Sequence, residues 1–296
     1  MQVPSPTPVI LLLALAAAGS AAPASAAAEP EGGTLVRFQM NAPSLGEDKR
    51  NVRVYLPRSY ETPAGAARRY PTVYLLHGWP GTEGNWPGEG RVTRTLDTLI
   101  AAGRIPEVIA VMPSAVGIGL LGRSMYLNSF DGSRRMEDFI VHDLVAWADR
   151  TFRTEARADR RAILGLSEGG SAAVNLAFKH PDVFGACGSH SGDFLLTRGM
   201  GEGKILGPEP GATRLLQENS PLLYVDRIGP TLRGMTIYFD CGLDDHDELA
   251  QNRELDRKLT ALGIPHTYRE FPGGHTWGYW RTHVRDALIA LLSPMR

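Results

Sequence analysis

The 296-residue sequence predicts an α/β fold, a mostly parallel central sheet with helices on both faces. Two observations predict it. From about Gly33 onward, short apolar strand-like runs alternate with helix-length periodic segments, the pattern of strands joined by right-handed crossovers. Several of those runs are apolar without a break, as expected of strands covered on both faces.

Residues 1–27 read as a secretory signal peptide. An apolar run over 9–18 leads into small residues that end in Ala24-Ser25-Ala26, an A-x-A cleavage pattern. The run is too short to span a bilayer permanently. The expectation is a secreted or periplasmic protein without stable membrane insertion. A single catalytic-sized domain is expected over 33–296. Residues 35–40 and 51–56 look like an opening antiparallel pair. Strands are then read over 72–76, 108–112 (stopped by Pro113), 162–164 (ending at Gly165), 236–239 and 267–271. Helical patterns fall over 94–102, 136–151, 171–179, 249–262 and 279–292. Residues 193–230, rich in Gly and Pro, break the rhythm and suggest a small excursion over one end of the sheet.

Composition narrows the function. There are 31 basic and 32 acidic residues, a net charge of −1, and no long run of one sign. Nothing in that balance recruits nucleic acid or an anionic membrane surface, so a small or uncharged partner fits better. The two cysteines, Cys187 and Cys241, sit near expected strand ends and read as structural thiols, with a disulfide between them left open by the sequence. Neither is followed by a helix start that would depress its pKa and make it a nucleophile.

The segment Gly165-Leu166-Ser167-Glu168-Gly169 matches G-x-S-x-G. That motif places a serine on a tight strand-to-helix turn, where glycine at both flanks removes side chains that would clash. An apolar strand enters it and the small-residue run Gly170-Ser171-Ala172-Ala173 leaves it, the context the turn demands. Ser167 is therefore the candidate nucleophile. A hydroxyl needs a base, and on such a fold the order is serine, acid, histidine. Of the six downstream histidines, His275 lies in a loop after the last strand, behind Gly273 and Gly274, and can reach back over the strand ends. His180 looks like a helix cap, His190 a strand-end residue near the site, and His266 and His283 structural.

The orienting acid belongs just beyond the strand over 236–239, where Asp240, Asp244, Asp245 and Asp247 are candidates. Asp240 abuts the strand itself. Spacing alone leaves Asp244 and Asp245 open, and the acidic stretch 244–248 also reads as a solvated cap of the following helix. For the oxyanion that develops in acyl transfer, the expected backbone donors are the N–H groups of Glu168 and Trp79, the latter in the loop His77-Gly78-Trp79. Trp86, Met125, Tyr126 and Trp277 are candidate substrate-binding residues. No metal and no cofactor is called for.

Four blocks resemble the putative-esterase family of α/β-hydrolases, which includes feruloyl esterases, S-formylglutathione hydrolases and mycolyltransferases. They are Tyr74-Leu75-Leu76-His77-Gly78, the stretch 126–139, the G-x-S-x-G turn, and a tail running from Cys241-Gly242-Leu243-Asp244-Asp245 to Gly273-Gly274-His275-Thr276-Trp277. The resemblance spans about residues 34–292 and implies an α/β-hydrolase fold. It also implies that the acid is the last residue of the Cys-Gly-x-x-Asp stretch, Asp245, and the base the histidine of Gly-Gly-His, His275. One departure stands out. Many members carry Met or Gln after the nucleophile, whereas this chain has Glu168. Its carboxylate would repel an anionic acyl group or act on His275 unless it points into solvent.

The expected function is a serine carboxylic-ester hydrolase that forms an acyl-enzyme on a small or phenolic ester. Two alternatives share the fold: an acyltransferase of the mycolyltransferase type, and a non-catalytic binding protein.

Overall fold

The computed structural model describes residues 32–46, 48–117, 122–199 and 203–296. The expected leader over 1–27 lies outside them. Eight strands form one sheet: β1 (Thr34–Ala42), β2 (Asp48–Leu56), β3 (Thr72–Leu76), β4 (Ile109–Pro113), β5 (Arg161–Leu166), β6 (Ala186–His190), β7 (Thr236–Gly242) and β8 (Thr267–Phe271), in the order β1-β2-β4-β3-β5-β6-β7-β8. Pairing is antiparallel from β1 through β2 to β4 and parallel across the rest. The helices are α1 (Val92–Ala101), α2 (Met136–Asp138), α3 (Val145–Thr151), α4 (Glu168–Lys179), α5 (Gly203–Leu206), α6 (Gly211–Glu218), α7 (Pro221–Ile228), α8 (His246–Ala261) and α9 (Trp277–Leu292). No helix among the described residues is long and apolar enough to cross a membrane.

Alternation along the strands divides the core in two. Val73, Leu75, Ala162 and Leu164 pack with α1 and α9 on one face, while Tyr74, Leu76 and Ile163 pack with α4, α7 and α8 on the other. Both faces are dry, which is why β3, β4 and β5 are buried at every position and read as unbroken apolar runs.

The structure departs from the sequence expectation in four places. The strand β6 carries no long apolar run (Ala-Cys-Gly-Ser-His) and left no periodic signal. Its small residues are needed because a Cβ on Gly188 would lie 2.8 Å from a Leu164 methyl and 2.9 Å from one of Leu291. The helix expected over 136–151 is α2 and α3 joined through Phe139–Leu144 in π geometry. Residues 193–230 hold the three short helices α5 to α7. Ile205, Leu206 and Ala212 there pack on Met125 and Leu127 as a small separate cluster. Finally, α1, α4, α8 and α9 begin two or three residues earlier than their apolar patterns, at Val92, Glu168, His246 and Trp277.

Parallel register aligns the strand ends. Leu76 pairs with Gly165, Leu166 with His190, His190 with Asp240, and Gly242 with Phe271. The loops after β3, β5, β7 and β8 therefore leave the same edge of the sheet, the edge where open α/β sheets gather their ligands.

Candidate active site

The chain leaves β5 at Ser167 and enters α4 at once. Ser167 sits at φ 53°, ψ −128°, a strained combination that persists only where its surroundings force it. They do so by close contact. A Cβ on Gly165 would lie 2.0 Å from the carbonyl oxygen of Gly169, and one on Gly169 would lie 2.5 Å from that of His77. Hydrogen at both positions lets strand, turn and helix pass this closely. The Ser167 N–H donates to the His190 carbonyl at 2.8 Å, which fastens the turn to β6.

Two further loops complete a row. Ser167 Oγ–H donates to His275 Nε2 at 2.8 Å. On its other side the ring's Nδ1–H donates to Asp245, 3.0 Å and 3.2 Å from its two oxygens. This tautomer is assigned from the network: an ionised carboxylate only accepts, so Nδ1 carries the proton and Nε2 is left to take the hydroxyl's. Asp245 is 4% exposed. Burial alone would raise its pKa, but hydrogen bonds from His275, Glu248 and Ser191 prevail and hold it well below the usual carboxylate range. The imidazole also packs edge-on against Trp280, ring centroids 4.9 Å apart. Asp244, the residue spacing could not separate from Asp245, is exposed, and its N–H donates to the Gly273 carbonyl at 2.9 Å. It ties the acid loop to the histidine loop.

The loop after β3 lies against the serine. A Cβ on Gly78 would come within 3.0 Å of Ser167 Cβ. His77 shapes this loop: its Nε2 accepts the Ala115 N–H at 3.0 Å, its Nδ1–H donates to the Gly78 carbonyl at 2.8 Å, and its own carbonyl accepts the Tyr126 hydroxyl at 2.8 Å. Burial pulls the His77 pKa below its ordinary value, in keeping with a ring that must accept at Nε2. Glu168 begins α4, where N–H groups have no intrahelical acceptor. Of the two residues expected to donate to an oxyanion, Glu168 directly follows Ser167 at the helix start and Trp79 lines the same cavity as Ser167.

The Glu168 side chain does not take the solvent-facing path. It turns back, accepts the Met125 N–H at 3.0 Å and pairs with Arg123, whose guanidinium lies 5.3 Å over the Trp79 ring. Its charge is thereby matched within the protein. Arg123 belongs to no motif, and nothing in the sequence pointed to it.

A cavity of about 250 Å³ opens beside Ser167 and His275, lined also by Trp79, Pro80, Asn85, Trp277 and Trp280. Of the expected substrate-binding residues, Trp277 lines it. Three others are held elsewhere by packing and hydrogen bonds. Trp86 is 1% exposed, donates its indole N–H to the Leu76 carbonyl at 2.9 Å and stands edge-on beneath Trp277. Tyr126 is buried with its hydroxyl on His77. Met125 faces a separate small crevice with Leu127, Ala172 and Asn219. Trp280 was missed, although an aromatic one turn after Trp277 at the start of α9 is a signal the sequence offered.

The other histidines are placed away from the cavity. His190 is fully buried and donates from Nδ1 to Asp240, 2.8 Å away, rather than lining the site. Asp240, within β7, also accepts the Tyr279 hydroxyl at 2.9 Å. His180 pairs with Glu137, His266 with Asp256, and His283 stacks on Phe271. Both cysteines are buried and free. A larger cavity of about 490 Å³ lies at the opposite edge of the sheet, around Ala158, Gly185 and Met235, without a comparable constellation. An alcohol, an imidazole and a carboxylate in one hydrogen-bonded row, next to helix-start N–H groups and an aromatic cavity, are the parts that acyl transfer requires.

A family model described as "Putative esterase" matches residues 43–291. An esterase of Mycobacterium tuberculosis is 30% identical over 288 residues, an alignment that takes in 87% of this chain and 59% of that protein. The chain spans less than two thirds of that relative's length. Among solved structures, a ferulic acid esterase matches with a TM-score of 0.78 at 28% identity, over 88% of this chain and 98% of that one. The apoenzyme of S-formylglutathione hydrolase from Staphylococcus aureus matches with a TM-score of 0.72 at 18% identity, over 88% and 98%, a likeness of fold.

Proposed function

Because this chain belongs to the Putative esterase family, with the α/β-hydrolase fold, we propose that it is a serine carboxylic-ester hydrolase acting through an acyl-enzyme on a small or phenolic ester. One observation carries the proposal: Ser167 Oγ, His275 and Asp245 stand in a row at 2.8 Å and 3.0 Å beside an aromatic-walled cavity. In this reading His275 takes the Ser167 proton as Oγ attacks the ester carbonyl. Asp245 keeps the ring in the Nδ1–H tautomer and stabilises the imidazolium. The N–H groups of Trp79 and Glu168 receive the oxyanion, each contributing about 3 kcal/mol to the transition state. His275 then gives its proton to the leaving alcohol, and water, activated by the same ring, releases the acid. The tryptophans of the cavity suit a flat or apolar acyl group. The leader-like N-terminus adds the proposal that this chemistry happens outside the cytoplasm.

The test has two parts. A fluorophosphonate probe should label the wild type at Ser167 and leave Ser167→Ala unlabelled. A panel of p-nitrophenyl esters of graded chain length, with methyl ferulate and S-formylglutathione, should then be tested for turnover, which the unlabelled wild type should show and neither the labelled protein nor Ser167→Ala should. Absence of label on Ser167 would favour the binding-protein alternative. Transfer of the acyl group to added trehalose or glycerol in place of hydrolysis would favour the acyltransferase.

A further inference from the structure

A fourth side chain stands at the row and has no place in the acyl-transfer scheme. Glu248 lies in the first turn of α8, three residues after Asp245, the residue that precedes the helix. Asp-x-x-Glu at a helix start ordinarily forms a capping box, in which the glutamate reaches back to the N–H of the first residue. That bond is not available, since the Asp245 N–H donates to the Gly242 carbonyl at 3.1 Å. Nor does the Asp245 carboxylate cap the helix. Both carboxyl groups turn toward the imidazole. Glu248 Oε2 is 3.7 Å from His275 Nδ1, and one ligand-type atom from each of Asp245, Glu248 and His275 falls within 4.8 Å of the other two. An oxygen of each of the two carboxyl groups thus lies within 4.8 Å of the other, both gathered at one ring nitrogen.

Two carboxyl groups this close repel when both are ionised, and a proton held by one relieves the repulsion and gives it a hydrogen to donate to the other. From this geometry we infer that Glu248 is a positioning residue: it shares one proton with Asp245, donating to that carboxylate and holding it against His275 Nδ1. The inference rests on the serine-hydrolase reading of the row. The proton resides on Glu248 because Asp245 already accepts the imidazole's N–H and Glu248 does not. Burial first, then the hydrogen bond and negative charge of Asp245, with the charges of Asp193 and Asp247, push the Glu248 carboxyl up to about 9. The groups that face it come from every neighbouring element: Asp245 and Asp247 at the start of α8, Asp193 in the loop after β6, Cys241 in β7, and His275 in the loop after β8. Arg123 is the cation that acts on Asp193. Once Glu248 ionises, two anions compete for one N–H and repel each other, and the imidazole loses its single orientation.

The second-order rate of fluorophosphonate labelling at Ser167 reads this without knowledge of the natural ester. It is measured for the wild type, Glu248→Gln and Glu248→Ala from about pH 6 to about pH 10, with thermal unfolding of each variant as a check on folding. The wild-type rate should fall on the alkaline side with a midpoint near the Glu248 value. Glu248→Gln, a permanent neutral donor of the same shape, should lose that alkaline fall. Glu248→Ala should lose it too and label about tenfold more slowly at neutral pH, the loss of one hydrogen bond to a charged group. An alkaline fall unchanged in Glu248→Gln, or none in the wild type, would overturn the inference while leaving the serine reading standing. Failure of the wild type to label at all would instead overturn the reading on which it rests.

Discussion

Ser167 and Asp245 occupy the same kind of place. Each is the residue just before a helix, α4 and α8, and each is a type that ordinarily caps one, yet neither side chain makes a cap hydrogen bond. A cap is worth about 1 kcal/mol, so the row in which they meet His275 forgoes that much at two helix starts. Thr276, at the start of α9, has no part in the row and does cap, accepting the Tyr279 N–H at 3.3 Å. The two neighbouring aspartates give the sharpest test. Asp245→Asn should lower turnover by about 10³–10⁴-fold, because an amide favours the wrong imidazole tautomer. Asp244 is exposed, so Asp244→Asn should stay within about threefold of wild type, the range of a surface charge change. Steady-state kinetics on one p-nitrophenyl ester compares them, and the reverse order would move the acid by one position.

At the scale of elements, the site is a set of turns pressed together until only hydrogens fit between them. The serine turn touches the loop after β3 through Gly169 and Gly78, and the acid loop touches the histidine loop through Gly242, whose Cβ would lie 2.2 Å from the Gly273 carbonyl. The contacts of Gly169 and Gly242 are to backbone, which cannot swing aside as a side chain can. A methyl on Gly169 must push α4 away from His77 and Leu76. Gly169→Ala is therefore expected to displace the serine by a fraction of an ångström and cut turnover about 100-fold or more. Wild-type turnover in a folded Gly169→Ala protein would show the packing to be looser than this. The same reasoning explains β6: its run of small residues serves the Leu164 and Leu291 side chains crossing it, so the strand left no apolar pattern to read.

Over the whole molecule, buried titrating groups set how stability depends on pH. Asp245 and Glu137 have lowered pKa values despite burial, the first through His275, Glu248 and Ser191, the second through His180 and Lys179. His77 is lowered by burial. In all three cases the unfolded chain binds more protons, so their contribution is present at neutral pH and is lost as pH falls below the ordinary His and carboxylate values. Glu248 has the opposite sign. The folded protein keeps its proton up to about 9 while the unfolded chain releases it near 4.5, so stability drains away as pH rises between those values. Glu248→Gln removes that drain. Its melting temperature should exceed wild type by a margin that widens from about pH 5 to about pH 9, and a constant margin would contradict the linkage.

Local chemistry was enough for much of this. Unbroken apolar runs such as 72–76 and 108–112 determined the doubly covered parallel sheet, because burial on both faces leaves no polar alternation. Gly165 and Gly169 around Ser167 fixed the turn, since the pattern that marks it is contained in five consecutive residues. Position alone singled out His275. What needed the tertiary structure was the physical reason for choosing between like residues. Spacing left Asp244 and Asp245 open and the resemblance pointed to Asp245, but only the folded loops show why: they turn one carboxylate onto His275, 30 residues away, and leave the other exposed. Trp86 and Trp277 look alike as aromatic residues, but one is core and the other wall. Arg123 meets Glu168 across 45 residues with no pattern to announce it. Side-chain direction and long-range charge depend on where loops end in space, and spacing along a chain carries no record of that.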